Sequence, residues 1–191
     1  RIITQKGISR SFQIPQIFEP MTAWENLLIA LGTSQKKHSY CKNARSKENG
    51  DFIDEILNRF ALNEFAHRQV SELPGGVRKL LDIAMALVRK PDILLLDEPS
   101  LGLSPIIVKE IFSILKHLQK DLGLSILLVE QNANLGLELA EYGYILELGR
   151  VAMSGLKEHM QKSQDVQEFY LGMHRDSRLG KKRWKSRKTW R

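Results

Sequence analysis

The stretch PDILLLDEPSLGLSP, residues 91 to 105, constrains this chain more than any other. Four apolar residues, Ile93 to Leu96, run into the adjacent carboxylates Asp97 and Glu98 and then into Pro99. A short apolar run bounded by turn residues predicts a strand buried on both faces, as in a parallel sheet covered by helices. An Asp at the end of such a strand is placed to hold Mg²⁺, largely through water, beside nucleotide phosphates. A carboxylate next to it is placed to orient or deprotonate a water. A bare Asp-Glu pair is as often a solvated strand end, but here the apolar run fixes where the two carboxylates stand.

The surrounding pattern predicts an α/β chain. Residues 7–13, GISRSFQ, read as a strand ending at Gln13. Thr22 and Glu25 are spaced as a capping box that starts a helix. Residues 32–50 are polar and aperiodic and read as a surface loop, and from Asp51 the apolar positions 52, 53, 56, 57 and 60 mark an amphipathic helix. Ser104-Pro105 reads as the N-cap and first turn of a helix that stops at Gly123. A second buried strand, SILLV, covers 125–129; a short helix over about 134–141 precedes a hairpin turning near Gly149-Arg150. Two short helices, LKEHMQK and DVQEFYLGM, follow. Oily strands alternating with amphipathic helices predict a parallel sheet, and the helical run from 22 to 89 reads as an insertion in it.

The second chemical element is LPGGVRKLLDIAMALVRKP, ending just before the oily strand. Two glycines at a helix N-terminus present backbone N–H groups at its positive end, which suits phosphate. Pro74-Gly75-Gly76 alone is more often a plain turn. Order and spacing defeat that reading: Gly-Gly, an amphipathic helix whose stripe is 77, 80, 81, 84, 87 and 88, a Pro turn, the strand, and then Asp-Glu-Pro.

This combination resembles the ATP-binding-cassette (ABC) ATPases over residues 1 to about 173. The resemblance places Leu73 to Val77 at the family's Leu-Ser-Gly-Gly-Gln signature, Ile93 to Asp97 at its Walker B strand and Glu98 at its catalytic glutamate. It places Ser100 to Pro105, Ser104 included, at the D-loop, Gln13 at the Q-loop glutamine and Gln131 where most members carry the switch histidine. It implies ATP and Mg²⁺ as cofactors, with Asp97 and Gln13 on the metal, Glu98 and Gln131 catalytic, and Gln13, Pro74, Gly75, Gly76, Val77, Asp97 and Ser104 at the nucleotide. FEPMTAWENLLIA, EPSLGLSPIIVKEIF and LLVEQNANLGLELAEYGYILELGRVAMSG resemble the ATP-binding subunits of branched-chain amino acid importers; urea and short-amide importers share much of that pattern. Such subunits imply a head-to-tail partner cassette, homo- or heterodimeric, in which each ATP lies between the phosphate loop of one subunit and the signature of the other. They also imply transmembrane permease subunits, indirectly a substrate-binding protein, and a peripheral place on the cytoplasmic face of the inner membrane.

Two departures bear on that expectation. No G-x-x-x-x-G-K-[ST] phosphate loop occurs in the 191 residues: Lys162, Lys185 and Lys188 precede Ser or Thr but lack the glycine before them. Pro74 stands where the signature serine would offer a hydroxyl, while Gly75 and Gly76 keep their backbone donors. The expectation is a P-loop NTPase domain without its N-terminal strands and Walker A, whose phosphate loop would precede residue 1. Its ATPase core would comprise 1–21 and 90–173, its helical subdomain 22–89, and 174–191 a disordered basic tail. Activity of this segment by itself is not expected. A rival reading is a non-catalytic remnant that donates its signature face to an intact partner.

Charge and composition decide a third reading. The net charge of +7 arises in the tail, where 174–191 hold nine Lys/Arg against one Asp, leaving 20 against 21 Asp/Glu before it. A DNA-linked ABC ATPase would explain a basic tail, but the sustained heptads of that class are missing, so nucleic acid is not an expected partner. The five His lack ligand spacing, so no zinc site is expected. Cys41 is the single cysteine, which excludes an internal disulfide within these residues and fits a reducing compartment. RIITQKGISR has no apolar core of a secretory signal, and no apolar run reaches the roughly 20 residues of a membrane span.

Overall fold

The computed structural model describes residues 6–32, 46–163 and 166. Most of the predicted 32–50 loop, the second closing helix apart from Val166, and the basic tail lie outside the described residues. The chain divides into two units, Arg1–Val129 and Glu130–Arg191.

In the first unit a three-stranded parallel sheet runs in the order β1 (Ile8–Ser11), β2 (Ile93–Asp97), β3 (Ser125–Val129). Ile8 pairs with Ile93 and Ser11 with Leu96, while Leu94 pairs with Ile126 and Asp97 with Val129. This register puts Ser9, Ser11, Leu94 and Leu96 on one face, all buried. Helix α3 (Gly75–Leu87) packs against β1.

The opposite face corrects the expectation of strands buried on both sides. Ile93 is 37 % exposed, Leu127 59 % and Val129 53 %. Among the described residues, the face of Leu94 and Leu96 is the better covered, with Ile126 and Leu128 half-buried on it, and an apolar run reads the same whether one face or both are covered.

The described residues of this unit also form the α-helices α1 (Ala23–Gly32), α2 (Lys47–Arg59) and α4 (Pro105–Leu122), with short 3-10 turns at Asn63–Phe65 and Val70–Glu72. The capping box forms at α1 as predicted: Thr22 N–H donates to Glu25 Oε2 at 3.0 Å, and Glu25 N–H donates to Thr22 Oγ1 at 3.2 Å. Helix α2 begins four residues before the predicted Asp51, because Ser46 Oγ accepts from Asn49 N–H at 3.3 Å and caps it. Helices α1, α2 and α3 close a core through Leu27, Ile53, Leu57, Phe60, Leu81 and Ile83, all under 2 % exposed. Helix α4 starts at Ser104-Pro105 and ends at Gly123, whose φ of 60° is the left-handed C-cap the sequence indicates.

The second unit holds α5 (Ala133–Leu139), the antiparallel hairpin β4 (Tyr142–Glu147) and β5 (Arg150–Leu156), and α6 (Lys157–Lys162). The hairpin turns at Leu148-Gly149, one residue before the predicted place, with φ of 50° and 74°. Its inner side packs Ile145 and Met153 on Leu137, Met160 and Val166.

Candidate functional site

The C-terminal ends of β1 and β2 bring three of the predicted residues together. Asp97 closes β2, and Arg10 of β1, on the same sheet face, donates from Nη2 to Asp97 Oδ2 at 2.8 Å. The Arg10 guanidinium also lies 4.9 Å from the centre of the Phe12 ring, which steadies it. Glu98 adopts a φ of 42°, a left-handed conformation costing a non-glycine residue roughly 1–2 kcal/mol. Its N–H donates to Val129 O at 2.9 Å, tying the bend to the end of β3. The bend turns its carboxylate to Gln13, whose Nε2 donates to Glu98 Oε2 at 3.1 Å. Backbone strain held by sheet hydrogen bonds is common where a side chain must be aimed.

The signature region forms the N-terminus of α3. Pro74 is its N-cap residue, extended at φ −58° and ψ 151°, and Gly75 and Gly76 are its first two residues. A Cβ on Gly75 would meet nothing within 4 Å, whereas one on Gly76 would lie 2.9 Å from Ile107 Cγ2 of α4. A side chain at position 76 would therefore press on Ile107, while Gly75 leaves its backbone open. Val77 is buried, so its side chain belongs to the core and only its backbone faces the helix start. Ser104 is the N-cap residue of α4; its exposed side chain makes no capping hydrogen bond. Gln131 stands in the second unit, in the bend before α5, next to Asn132, which caps that helix by accepting from Asn134 and Leu135 N–H.

Sequence reasoning missed the residues that hold this site in place. Asp82 and Lys79, on the inner side of α3, are 6 % and 4 % exposed. Asp82 Oδ2 accepts from Ser11 Oγ at 2.5 Å and Phe12 N–H at 3.2 Å, and its Oδ1 accepts from Gln16 N–H at 3.2 Å. Lys79 Nζ donates to Phe12 O at 2.5 Å and Gln13 O at 3.4 Å. Burial pushes the Asp82 carboxyl above its ordinary range, opposed by the Ser11 and Gln16 hydrogen bonds, the Lys79 charge and the Phe12 N–H. The available signal was an Asp inside the apolar run KLLDIAMAL, a place where a carboxylate needs partners. Asn26 was also missed: it is fully buried and pins Phe18, accepting from its N–H at 2.8 Å and donating to its O at 3.1 Å.

The donor set suits a hard cation. Asp97 offers a half-exposed carboxylate and Gln13 an amide oxygen, the oxygen ligands Mg²⁺ accepts while keeping waters and phosphate oxygens. Arg10 engages only Oδ2 of Asp97. A cleft of about 350 Å³ between α2 and α4, lined by Glu55, Arg59, His117 and Asp121, includes none of the candidate residues. The carboxylates stand at an open sheet end.

Comparison with known proteins shows the family of this chain. The family described as ABC transporter matches residues 1–101. The high-affinity branched-chain amino acid transport ATP-binding protein BraG of Pseudomonas aeruginosa is 36% identical over 171 residues, covering 89% of this chain and 69% of BraG. LivG of Escherichia coli, of the same description, is 32% identical over 177 residues, with 89% and 69% covered. Among solved structures, the ADP conformation of the ATP-binding cassette MJ1267 superposes with a TM-score of 0.70 at 27% identity, covering 90% of this chain and 71% of that one. A dimeric post-hydrolysis state of the cassette MJ0796, bound to ADP and Pi, gives 0.69 at 25%, with 80% and 64% covered. The sheet-end carboxylates, the Gly-Gly helix and the glutamine beside them thus occur in a chain that belongs to the ABC transporter family, with the α/β fold of its ATP-binding cassettes.

Proposed function

We propose that this chain is the ATP-binding, energy-coupling part of an ABC importer for branched-chain or related amino acids. The observation that carries the reading is the Gln13–Glu98 contact at the ends of two parallel strands, beside the ion-paired Asp97. BraG and LivG support the substrate class, since both are named as branched-chain amino acid transport proteins. Bound MgATP supplies the phosphoanhydride whose hydrolysis drives transport.

In this reading Asp97 and the Gln13 amide oxygen hold the metal, and Glu98 orients a water and takes its proton on a carboxylate oxygen. The N–H groups of Gly75 and Gly76 at the start of α3 would be the backbone donors to phosphate of a nucleotide held by a second cassette. Pro74 brings no hydroxyl to that contact, so this half of the site relies on backbone donors alone. Ser104 lies along the cassette–cassette contact, and Gln131 takes the switch position. Residues 1–21 and 90–173 serve as ATPase core and 22–89 as the helical subdomain that meets transmembrane permease subunits, with a substrate-binding protein beyond them. Among the described residues no helix is long and apolar enough to cross a membrane. The proposed place is peripheral, on the cytoplasmic face of the inner membrane.

The test joins the 191 residues to a strand, phosphate loop and helix taken from a relative such as BraG. Glu98→Gln in that fusion is expected to keep MgATP binding within about threefold while turnover falls by roughly 10³-fold or more. Turnover unchanged by Glu98→Gln would remove Glu98 from the chemistry.

A further inference from the structure

Lys79 and Asp82 have no part in the reading above, yet they are the charged side chains buried most completely among the described residues. Burying two such groups is costly unless hydrogen bonds repay the lost water. Five bonds from this pair converge on one short segment, residues 11–16: three accepted by Asp82 and two donated by Lys79. Gln13 lies in the middle of that segment and is itself exposed, so no packing of its own side chain fixes it. Its backbone carbonyl is held by Lys79, and the N–H groups of Phe12 and Gln16 on either side are held by Asp82. The helix that carries the pair is the one that begins with Gly75 and Gly76.

We propose that Lys79 and Asp82 are positioning residues that clamp the 11–16 segment to α3 and so keep the Gln13 side chain on Glu98. The functional meaning rests on the nucleotide reading of Gln13 and Glu98; the clamp itself is tested without nucleotide, so the two can fail separately.

The decisive variant is Lys79→Met combined with Asp82→Leu in the 191-residue chain. Both substitutions keep most of the side-chain volume, and the Phe12 and Gln16 N–H groups they release belong to exposed residues that water can reach, so the fold should persist while the clamp is lost. In ¹⁵N-labelled protein the Gln13 side-chain amide resonance should move to the position it takes in Glu98→Ala. Hydrogen exchange at the Phe12 and Gln16 amides should rise about tenfold or more, with exchange in the middle of α3 unchanged. Lys79→Arg should keep the wild-type Gln13 resonance. Should the double variant fail to fold, Ser11→Ala, which deletes one hydroxyl, is expected to move the Gln13 resonance part of the way along the same line. An unmoved Gln13 resonance in the folded double variant, or in Ser11→Ala, would overturn the proposal. So would a rise in exchange of equal size throughout α3 and β2, because the pair would then be supporting the core rather than placing Gln13.

Discussion

Single side chains decide how the carboxylates are displayed. Glu98 leaves β2 in a left-handed conformation held by Val129 O, Arg10 engages Asp97, and Asp82 anchors the backbone next to Gln13. The Asp82 carboxyl, raised mainly by burial, keeps its proton to higher pH in the folded chain than in the unfolded one. Between its ordinary value of 3.8 and the raised one, the folded state therefore binds more protons, and stability falls as pH rises. Urea unfolding of the wild type should lose stability relative to Asp82→Asn as pH climbs from 3.8 through the raised value, and the difference should level off above it. A difference that grows in favour of the wild type over that window would contradict the assigned direction. Asp97, Glu98 and Gln13 were legible in the sequence because the apolar run and the spacing of the motifs place them. Lys79 and Asp82 were not, because a polar residue on a helix reads as solvated until the strand it faces, some seventy residues earlier, is folded against it.

At the scale of elements, local signals fixed most helix ends, since the Thr22–Glu25 box, Ser104-Pro105 and Gly123 act through their own neighbours. The start of α2 was lost in a polar stretch, where only the Ser46 cap marks it. Strand burial was misjudged because cover of a second face is a property of other parts of the chain. The connection from β1 to α1 displays Phe12, Ile14, Phe18 and Met21, each at least 38 % exposed. Asn26 holds the backbone at Phe18, so this apolar row has a fixed support. Exposed apolar side chains on a rigid base suit a partner surface, and the proposed partner is the permease. Phe18→Glu with Met21→Glu should abolish co-purification with the transmembrane subunits and leave the unfolding midpoint within a few degrees. Co-purification at wild-type yield would place the docking surface elsewhere.

For the whole molecule, each unit by itself shows an open apolar face. In the first it is the sheet side of Ile93, Leu127 and Val129; in the second it is the outer side of the hairpin, with Tyr142, Tyr144 and Leu146. A parallel sheet is normally covered on both sides, so the phosphate-binding segment used to complete the site should also cover apolar surface and raise solubility. The 191 residues carry the carboxylates, the glutamine and the Gly-Gly helix but hold no G-x-x-x-x-G-K-[ST] pattern. Backbone N–H groups and a lysine in such a loop supply most contacts to a triphosphate, and a lone carboxylate cannot replace them. The most direct measurement is a calorimetric titration of MgATP into monodisperse protein, run on the 191 residues alone and on their fusion to a relative's strand, phosphate loop and helix. Binding heat is expected from the fusion only; tight binding by the 191 residues alone would contradict the need for a phosphate loop, and none by a folded fusion would contradict the assignment of these residues to a nucleotide site.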